Sequence, residues 1–206
     1  LTNYGDIAIM WFDMWIPYEQ SIFKRAQLEQ AVNIIRELQP NCLINSRLGL
    51  PADAHYVDFE TLGDNVFGTS YRAQPWETPG TIAHSWGYNG QEKEWKSSSQ
   101  IFESLIANVS LNGGFTLNMG PRANGKIPHE SSTRLNEIGN WLSQHGEAIY
   151  AAEGLPLRAN NFDWGYLTYK PSPSNPTVYA HVFNWPMDKI LRITGINTNP
   201  KNIYYN

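Results

Sequence analysis

The chain has 206 residues, of which 15 are Lys or Arg and 19 are Asp or Glu, so its formal net charge is -4. This length allows one domain, or one domain and part of a second. A content of 41% hydrophobic and 17% charged residues excludes a disordered chain. The negative charge gives no field that would attract phosphate backbones, so no nucleic-acid partner is expected. No apolar run reaches the roughly 20 residues that a membrane helix needs, so no membrane partner is expected either. The single cysteine, Cys42, excludes an intrachain disulfide and a cysteine zinc site.

Alternating strands and helices are predicted through most of the chain. Residues 7–12 form an unbroken apolar run, which is typical of a strand buried on both faces. Apolar residues at helical spacing then follow Pro17 and stop before Pro40, which predicts a helix between the two prolines. A second buried strand is predicted at residues 42–45, and residues 51–79 have the composition of a loop.

The same alternation continues after this loop. Residues 81–88 are interpreted as the end of a strand, and residues 97–99 as the cap of a helix. That helix is predicted to end at the Asn-Gly-Gly of residues 112–114, and a strand at residues 115–119 comes next. A further helix is predicted over residues 131–145, with the glycine that follows as its C-cap. This order of elements predicts an α/β fold with a parallel sheet.

The sequence pattern changes after about residue 154, from alternating strands and helices to strands alone. Three stretches with partial alternation, residues 164–169, 177–183 and 189–194, predict β-strands. A turn-rich Pro-Ser-Pro-Ser-Asn-Pro link joins the first two. We therefore expect a division into residues 1–153 and a second unit, residues 154–206, that begins a β-sandwich.

Polar or aromatic side chains follow several predicted strands, at the edge where parallel barrels place their function. They are Asp13, Arg47, His84 with Trp86, and Asn118. Asp13 is the most suggestive, because it follows an apolar strand and stands between Trp11 and Trp15. A carboxylate there would be held rigidly between two indole rings. The alternative interpretation is an Asp that caps the following helix or turn.

Three further acidic residues bear on sugar chemistry, because cleavage of a glycosidic bond needs two carboxyl groups. Glu77 stands in the motif Pro-Trp-Glu-Thr, where the neighbouring Trp and Pro would restrict its side chain. Glu60 and Asp64 lie in the segment Asp-Phe-Glu-Thr-Leu-Gly-Asp and compete for the same role. Most loop carboxylates are solvated and have no such role, so each one alone is a weak candidate.

Other chemistries lack their motifs in this sequence. The five histidines show no H-x3-H or H-E-x-x-H spacing, so no metal is expected. No G-x-S-x-G elbow, Walker A loop or G-x-G-x-x-G motif occurs. The many aromatic residues suit either core packing or a site for sugar rings, and composition alone does not separate the two.

Three segments of the chain share sequence blocks with one known family. Residues 4–13 form an apolar run that ends in Trp-x-Asp, and residues 76–88 follow the pattern W-E-x(8)-[SW]-G-Y. Residues 112–127 are similar to the block G-x-x-L-L-N-[IV]-G-P with a following [DN]-G-x-I. A single block would be weak, but the three occur in the family's order. The chain resembles the α-L-fucosidases of glycoside hydrolase family 29.

The resemblance implies a retaining hydrolase of terminal α-L-fucose, acting on fucosylated oligosaccharides or glycoconjugates without a cofactor. The implied fold is α/β: the second half of a (β/α)8-like, TIM-type barrel, followed by a partial antiparallel β-sandwich. By match to the family motifs, Asp13 would be the nucleophile, and Trp11 and Trp86 would line the sugar pocket. Arg47, in a segment similar to the family's N-x-R, would hydrogen-bond the sugar near the nucleophile.

The acid/base carboxylate is where the sequence departs from the family pattern. Many members place it in a segment similar to D-F-x-T-P-E, but here the glutamate position is Gly63, followed by Asp64. In other members the role is assigned near the W-E block, which is intact here as Glu77. The expected order of candidates is therefore Glu77, then Asp64, then Glu60.

The family's first barrel strands, which include a His-His segment, have no counterpart in these residues. We therefore expect the remainder of the barrel to come from a missing N-terminal segment, and we expect the 206-residue chain alone to be inactive. Half a barrel would otherwise leave sheet edges with unpaired backbone groups. The alternative is a non-catalytic carbohydrate-binding protein, or an inactive fragment, that keeps the aromatic sugar pocket.

Overall fold

A computed structural model describes residues 1–13, 16–51, 55–157, 162–196 and 202–203 of the chain. The strands are β1 (Ile9–Met10), β2 (Leu43–Ile44), β3 (Glu60–Thr61), β4 (Trp76–Thr81), β5 (Gly113–Asn118), β6 (Gly165–Lys170) and β7 (Thr177–Val182). The α-helices are α1 (Arg25–Leu38), α2 (Ser98–Ser110) and α3 (His129–His145). Trp15, which the sequence places beside Asp13, lies outside the described residues.

The first five strands run parallel to one another in sequence order. β1 pairs with β2, and β3, β4 and β5 form a second parallel group. A single parallel bridge between Asn45 and Phe59 links the end of β2 to the start of β3. Because α1 connects β1 to β2 and α2 connects β4 to β5, both connections are the helical crossovers that parallel pairs need. The predicted mixed α/β fold with parallel β-α units is confirmed.

The first helix is shorter than the prolines suggest. α1 begins at Arg25, and its apolar stripe of Leu28, Val32 and Ile35 is buried against β2 and the loop that follows it. Between Pro17 and α1 the chain makes only a single 3-10 turn. The backbone N–H of Tyr18 donates to the carbonyl of Gly49 over 3.0 Å, which fixes this segment to the loop after β2.

The other two helices lie close to their predicted positions. Ser97 caps α2, because its hydroxyl accepts from the backbone of Gln100 while the Gln100 side chain accepts from the backbone of Ser97. α3 extends from just after Pro128 to Gly146, as the capping residues indicate. Gly146 has a right-handed conformation, and a Cβ there would stand 2.7 Å from the Tyr150 ring. Gly146 therefore ends α3 without the left-handed conformation typical of a glycine C-cap, and the chain continues into a 3-10 turn over Gly146–Ala148.

The predicted loop over residues 51–79 is wrong in two places, since it contains β3 and the start of β4. Of residues 81–88, predicted as the end of a strand, only Thr81 belongs to β4, and residues 82–88 follow the strand. Pro79 obscures the strand in the sequence because proline lacks the N–H that a central strand uses for pairing. The ladder is held instead by the residues on either side of it, and the Pro79 carbonyl accepts from the Asn65 backbone over 2.8 Å.

An antiparallel hairpin completes the described fold. β6 and β7 pair antiparallel, and Tyr166 and Phe183 pack against Ile106 of α2 and the segment after α3. The predicted third strand at residues 189–194 is wrong, because these residues adopt no strand. Within the described part of the chain no further strand lies beside them to share backbone hydrogen bonds.

Candidate active site

A buried arginine joins the ends of three strands. Arg47 lies in a short 3-10 turn directly after β2, and only 5% of its side chain is exposed. Its Nη1 donates to Oδ1 of Asp13, just beyond β1, over 2.9 Å. Its Nη2 donates to Oδ1 of Asp64, beyond β3, over 2.7 Å and to the Leu62 carbonyl over 2.6 Å. The two carboxylates therefore lie within hydrogen-bond distance of the same guanidinium group.

The two carboxylates that bind Arg47 are much more exposed to solvent than the arginine itself. The side chain of Asp13 is 61% exposed and that of Asp64 is 37% exposed. A buried, planar guanidinium fixes the directions of its donors, because its fork geometry is rigid. Arg47 therefore orients two partly exposed carboxylates that lie beyond the ends of neighbouring strands.

Trp11 forms an aromatic surface beside this pair. Its ring lies over the Arg47 guanidinium, with Cζ 5.1 Å from the ring centroid, a cation–π contact. Its indole N–H donates to Oε1 of Glu77 over 2.5 Å. The ring remains 37% exposed, so an apolar sugar face could still stack on it.

Glu77 points from β4 toward the side chains of its neighbouring strands. In the parallel register Glu77 stands beside Thr61 of β3 and Gly114 of β5, and Thr116 lies two residues further along β5 on the same face. The Thr61 hydroxyl donates to Oε1 of Glu77 over 2.9 Å, and the Thr116 hydroxyl donates to Oε2 over 2.6 Å. With the indole of Trp11, the Glu77 carboxylate thus accepts three hydrogen bonds.

Glu60, the third candidate, lies on the other side of β3. Successive residues of a strand point to opposite faces, so the side chain of Glu60 points away from that of Thr61. It forms an ion pair with Arg72 on the opposite face. The structure therefore separates Glu60 from the group around Arg47.

The loop after β4 carries Trp86, and its shape depends on Glu92. The Glu92 carboxylate accepts from the backbone N–H of Ser85, over 3.0 Å, and of Glu94, over 3.1 Å. It also accepts from the Ser85 hydroxyl over 2.8 Å. These donors lower the pKa of Glu92 to about 2, because they stabilise its charged form. The side-chain amide of Asn118, at the end of β5, donates to the Trp86 carbonyl over 2.8 Å.

The comparison with known protein families identifies the chain. The sequence profile of the family described as alpha-L-fucosidase matches residues 1–147. The chain belongs to this family, glycoside hydrolase family 29. Among curated relatives, the alpha-L-fucosidase of Dictyostelium discoideum is 33% identical over 77% of the chain, and human tissue alpha-L-fucosidase is 32% identical over 73%. The chain covers 34% and 32% of these two relatives, so it spans about a third of their length.

Solved fucosidase structures share the fold of the chain. Alpha-L-fucosidase isoenzyme 1 from Paenibacillus thiaminolyticus superposes with a TM-score of 0.76 at 32% identity, over 90% of the chain and 45% of that protein. The alpha-L-fucosidase of Vibrio sp. strain EJY3 gives 0.78 at 31% identity, over 89% of the chain and 32% of that protein. The Bacteroides thetaiotaomicron enzyme, trapped as a covalent intermediate with 2-fluoro-fucosyl fluoride, gives 0.74 at 27% identity, over 88% of the chain and 44% of that protein.

Sequence reasoning did not assign a role to one polar residue of this group. Asn45, fully buried at the end of β2, binds both backbone groups of Phe12: its Oδ1 accepts from the N–H over 2.7 Å and its Nδ2 donates to the carbonyl over 3.0 Å. A polar residue that ends a short apolar strand is the signal that could have found it. Among the described residues, no three His, Cys, Asp or Glu side chains form a group that could hold a metal. In the same residues no helix has the length and apolarity to cross a membrane.

Proposed function

We propose that the chain carries the nucleophile half of a retaining α-L-fucosidase, which hydrolyses terminal α-L-fucose from fucosylated glycans. The observation that carries the proposal is the shared contact of Asp13 and Asp64 with Arg47. In this proposal residues 1–153 form the second half of a (β/α)8-like barrel. Residues 154–206 begin a β-sandwich of which β6 and β7 are a part.

Asp13 is the proposed nucleophile. Its exposed carboxylate, oriented by Arg47, attacks the anomeric carbon of fucose as the aglycone oxygen leaves, and a fucosyl ester with Asp13 results. Water then attacks the anomeric carbon from the face that the aglycone left, opposite the ester bond, and the Asp13 carboxylate is released. The two inversions give net retention. The covalent intermediate trapped in the Bacteroides thetaiotaomicron relative supports a double displacement in this family.

Asp64 is the proposed acid/base, in preference to Glu77. A retaining enzyme needs its second carboxyl about 5 to 5.5 Å from the nucleophile. Both Asp13 and Asp64 bind the Arg47 guanidinium, so we expect a separation of this order between the two carboxyl groups. Asp64 would protonate the leaving oxygen and then, as a carboxylate, remove a proton from the attacking water. The oxygens of Glu77 are instead occupied by donors from three sides.

Trp11 and Trp86 are proposed to line the fucose pocket. Both indoles are partly exposed, and an indole face can pack on the apolar face and methyl group of the sugar. The Lactobacillus casei relative was solved with α-L-fucose, and a bacterial relative with a dihydroxy-methylpyrrolidine inhibitor, which supports a fucose-sized pocket. No cofactor takes part in this mechanism.

The rest of the barrel is proposed to come from polypeptide outside these residues. Ile9 of β1 and Leu43 of β2 pair side by side and are 48% and 45% exposed. Apolar side chains of this size on a parallel sheet are normally covered. We expect the portion that the longer relatives have beyond the matched third to cover them, and we expect the 206-residue chain alone to be inactive.

The test is hydrolysis of 4-nitrophenyl α-L-fucoside by the full-length gene product. Asp13→Ala is expected to abolish turnover, and azide should restore it with β-fucosyl azide as the inverted product. Asp64→Ala is expected to lose about 10²- to 10⁴-fold, the usual contribution of general acid–base catalysis, and azide should then give α-fucosyl azide. Fucose binding without turnover by folded wild type would support the carbohydrate-binding alternative instead.

A further inference from the structure

The Glu77 carboxylate accepts hydrogen bonds from the two strands that flank β4 and from Trp11, the residue after β1. The Trp11 indole N–H can only donate, so Oε1 of Glu77 must be its acceptor. The Thr61 hydroxyl donates to the same oxygen over 2.9 Å and accepts from the side-chain amide of Asn45 over 3.2 Å. Oε1 of Glu77 therefore accepts two hydrogen bonds, one from the indole of Trp11 and one from Thr61.

The same hydrogen bonds continue to the backbone that precedes the nucleophile. The Asn45 amide that donates to Thr61 also binds both backbone groups of Phe12. Phe12 is the residue immediately before Asp13. Glu77 thus fixes Trp11 directly and Phe12 through two intervening side chains, of which Asn45 is fully buried.

We propose that Glu77 is a positioning residue, which holds the Trp11 indole and the backbone of Asp13 in place for attack on the sugar. This inference rests on the proposed function, since it names what Glu77 does for that nucleophile. Displacing a reacting group by about 1 Å can cost on the order of 10²-fold in rate, so such a residue can matter as much as one that contacts the substrate.

Two substitutions separate a positioning role from proton transfer. Glu77→Gln keeps an acceptor oxygen for Trp11 and Thr61, whereas Glu77→Leu has a similar size and no acceptor. In the full-length gene product we expect kcat/KM for 4-nitrophenyl α-L-fucoside to fall about tenfold in the first and on the order of 10²-fold in the second, as expected for misplacement. An acid/base would lose the same in both, because neither variant can carry the proton. Glu37→Gln, on the exposed face of α1, is the matched control and should match wild type.

Azide products and the pH profile of activity also distinguish a positioning role of Glu77 from an acid/base role. Neither Glu77 variant should yield a fucosyl azide, and both should keep the basic limb of the wild-type pH profile. Asp64→Ala should lose that limb and give α-fucosyl azide. An α-fucosyl azide product from Glu77→Leu, or loss of the basic limb in Glu77→Gln, would overturn the positioning role and leave the fucosidase proposal standing.

The contact itself can be measured without turnover. In a ¹H–¹⁵N spectrum the indole N–H signal of Trp11, assigned with Trp11→Phe, should move upfield in Glu77→Leu, move less in Glu77→Gln and stay in place in Glu37→Gln. Circular dichroism and the urea midpoint would show that the variants are folded. An unmoved Trp11 signal in a folded Glu77→Leu protein refutes the inference. Absent turnover in wild type would refute the proposed function alone, because the indole shift is independent of it.

Discussion

Acidification is expected to destabilise the C-terminal hairpin through His181. This residue of β7 is buried, and its ring lies 6.5 Å from that of Trp141 on α3. Its Nε2 is 2.8 Å from the Thr168 hydroxyl, which donates its only hydrogen to the carbonyl of Ala148. Nε2 must therefore carry a hydrogen and donate to Thr168. Burial lowers the pKa of His181 from 6.5 to about 4, because the charged ring would lose its hydration.

The size and sign of the effect follow from this difference in pKa. Above pH 6.5 the ring is neutral in both the folded and the unfolded chain, and His181 causes no pH dependence. Between pH 6.5 and 4 the unfolded chain binds the proton and the folded chain does not, so the free energy of unfolding falls with decreasing pH. Each pKa unit corresponds to about 1.4 kcal/mol, so the full loss is about 3 kcal/mol and is complete below pH 4.

The assay is urea unfolding of wild type and His181→Gln at half-unit steps from pH 7.5 to 4. Glutamine can donate its side-chain N–H to Thr168 and has no charge to gain. At pH 7.5 any difference in the free energy of unfolding between the two proteins reflects changed packing alone. The prediction is therefore tested only by the slope of that free energy against pH below pH 6.5. The wild-type slope should exceed that of the variant, by up to about 1.4 kcal/mol per pH unit. Parallel slopes for the two proteins would refute the reasoning.

Three smaller perturbations test the local structure. Ser97→Ala should lower the free energy of unfolding by about 1 kcal/mol, measured by urea denaturation, because it removes the cap of α2. Gly120→Ala would place a Cβ 2.5 Å from the backbone of Tyr88, so it should displace the loop after β4 and raise KM in the full-length gene product. Glu92→Gln should raise KM as well and lower the protection of the Ser85 amide from hydrogen exchange, because the amide loses a charged acceptor.

The helices were predictable because their ends are marked locally. Ser97 and Gln100 form a capping box that is visible in the sequence, and the Asn-Gly-Gly that follows α2 marks its end. Gly146 stands at the predicted end of α3, although it has a right-handed conformation and leads into a 3-10 turn. Each of these signals acts within a few residues, so no knowledge of the tertiary structure was needed.

The short strands and the choice of acid/base were harder, because both depend on neighbouring strands. β3 is two residues long and exists only through its pairing with β4. The direction of the Glu77 side chain depends on the register that sets it beside Thr61, and no local pattern encodes that register. The family motifs placed Asp13 and Arg47 together and offered Asp64 as the second acid/base candidate after Glu77. The contact of Asp64 with Arg47 depends on the path of the backbone after β3, which no local pattern encodes.

The position of Asp64 also explains how this chain can depart from the family's glutamate motif. Nη2 of Arg47 binds both the Leu62 carbonyl, over 2.6 Å, and Oδ1 of Asp64, over 2.7 Å. The backbone after β3 therefore passes within hydrogen-bond distance of the guanidinium, and the short side chain of an aspartate is long enough to reach it. In this proposal the Asp64 carboxylate takes the place of the family's glutamate, which would stand at position 63. Asp64 is one residue further along the chain, and its side chain is one methylene shorter than that of glutamate. In this chain Arg47, which binds the carboxylates from both sides, is what defines the catalytic pair that we propose.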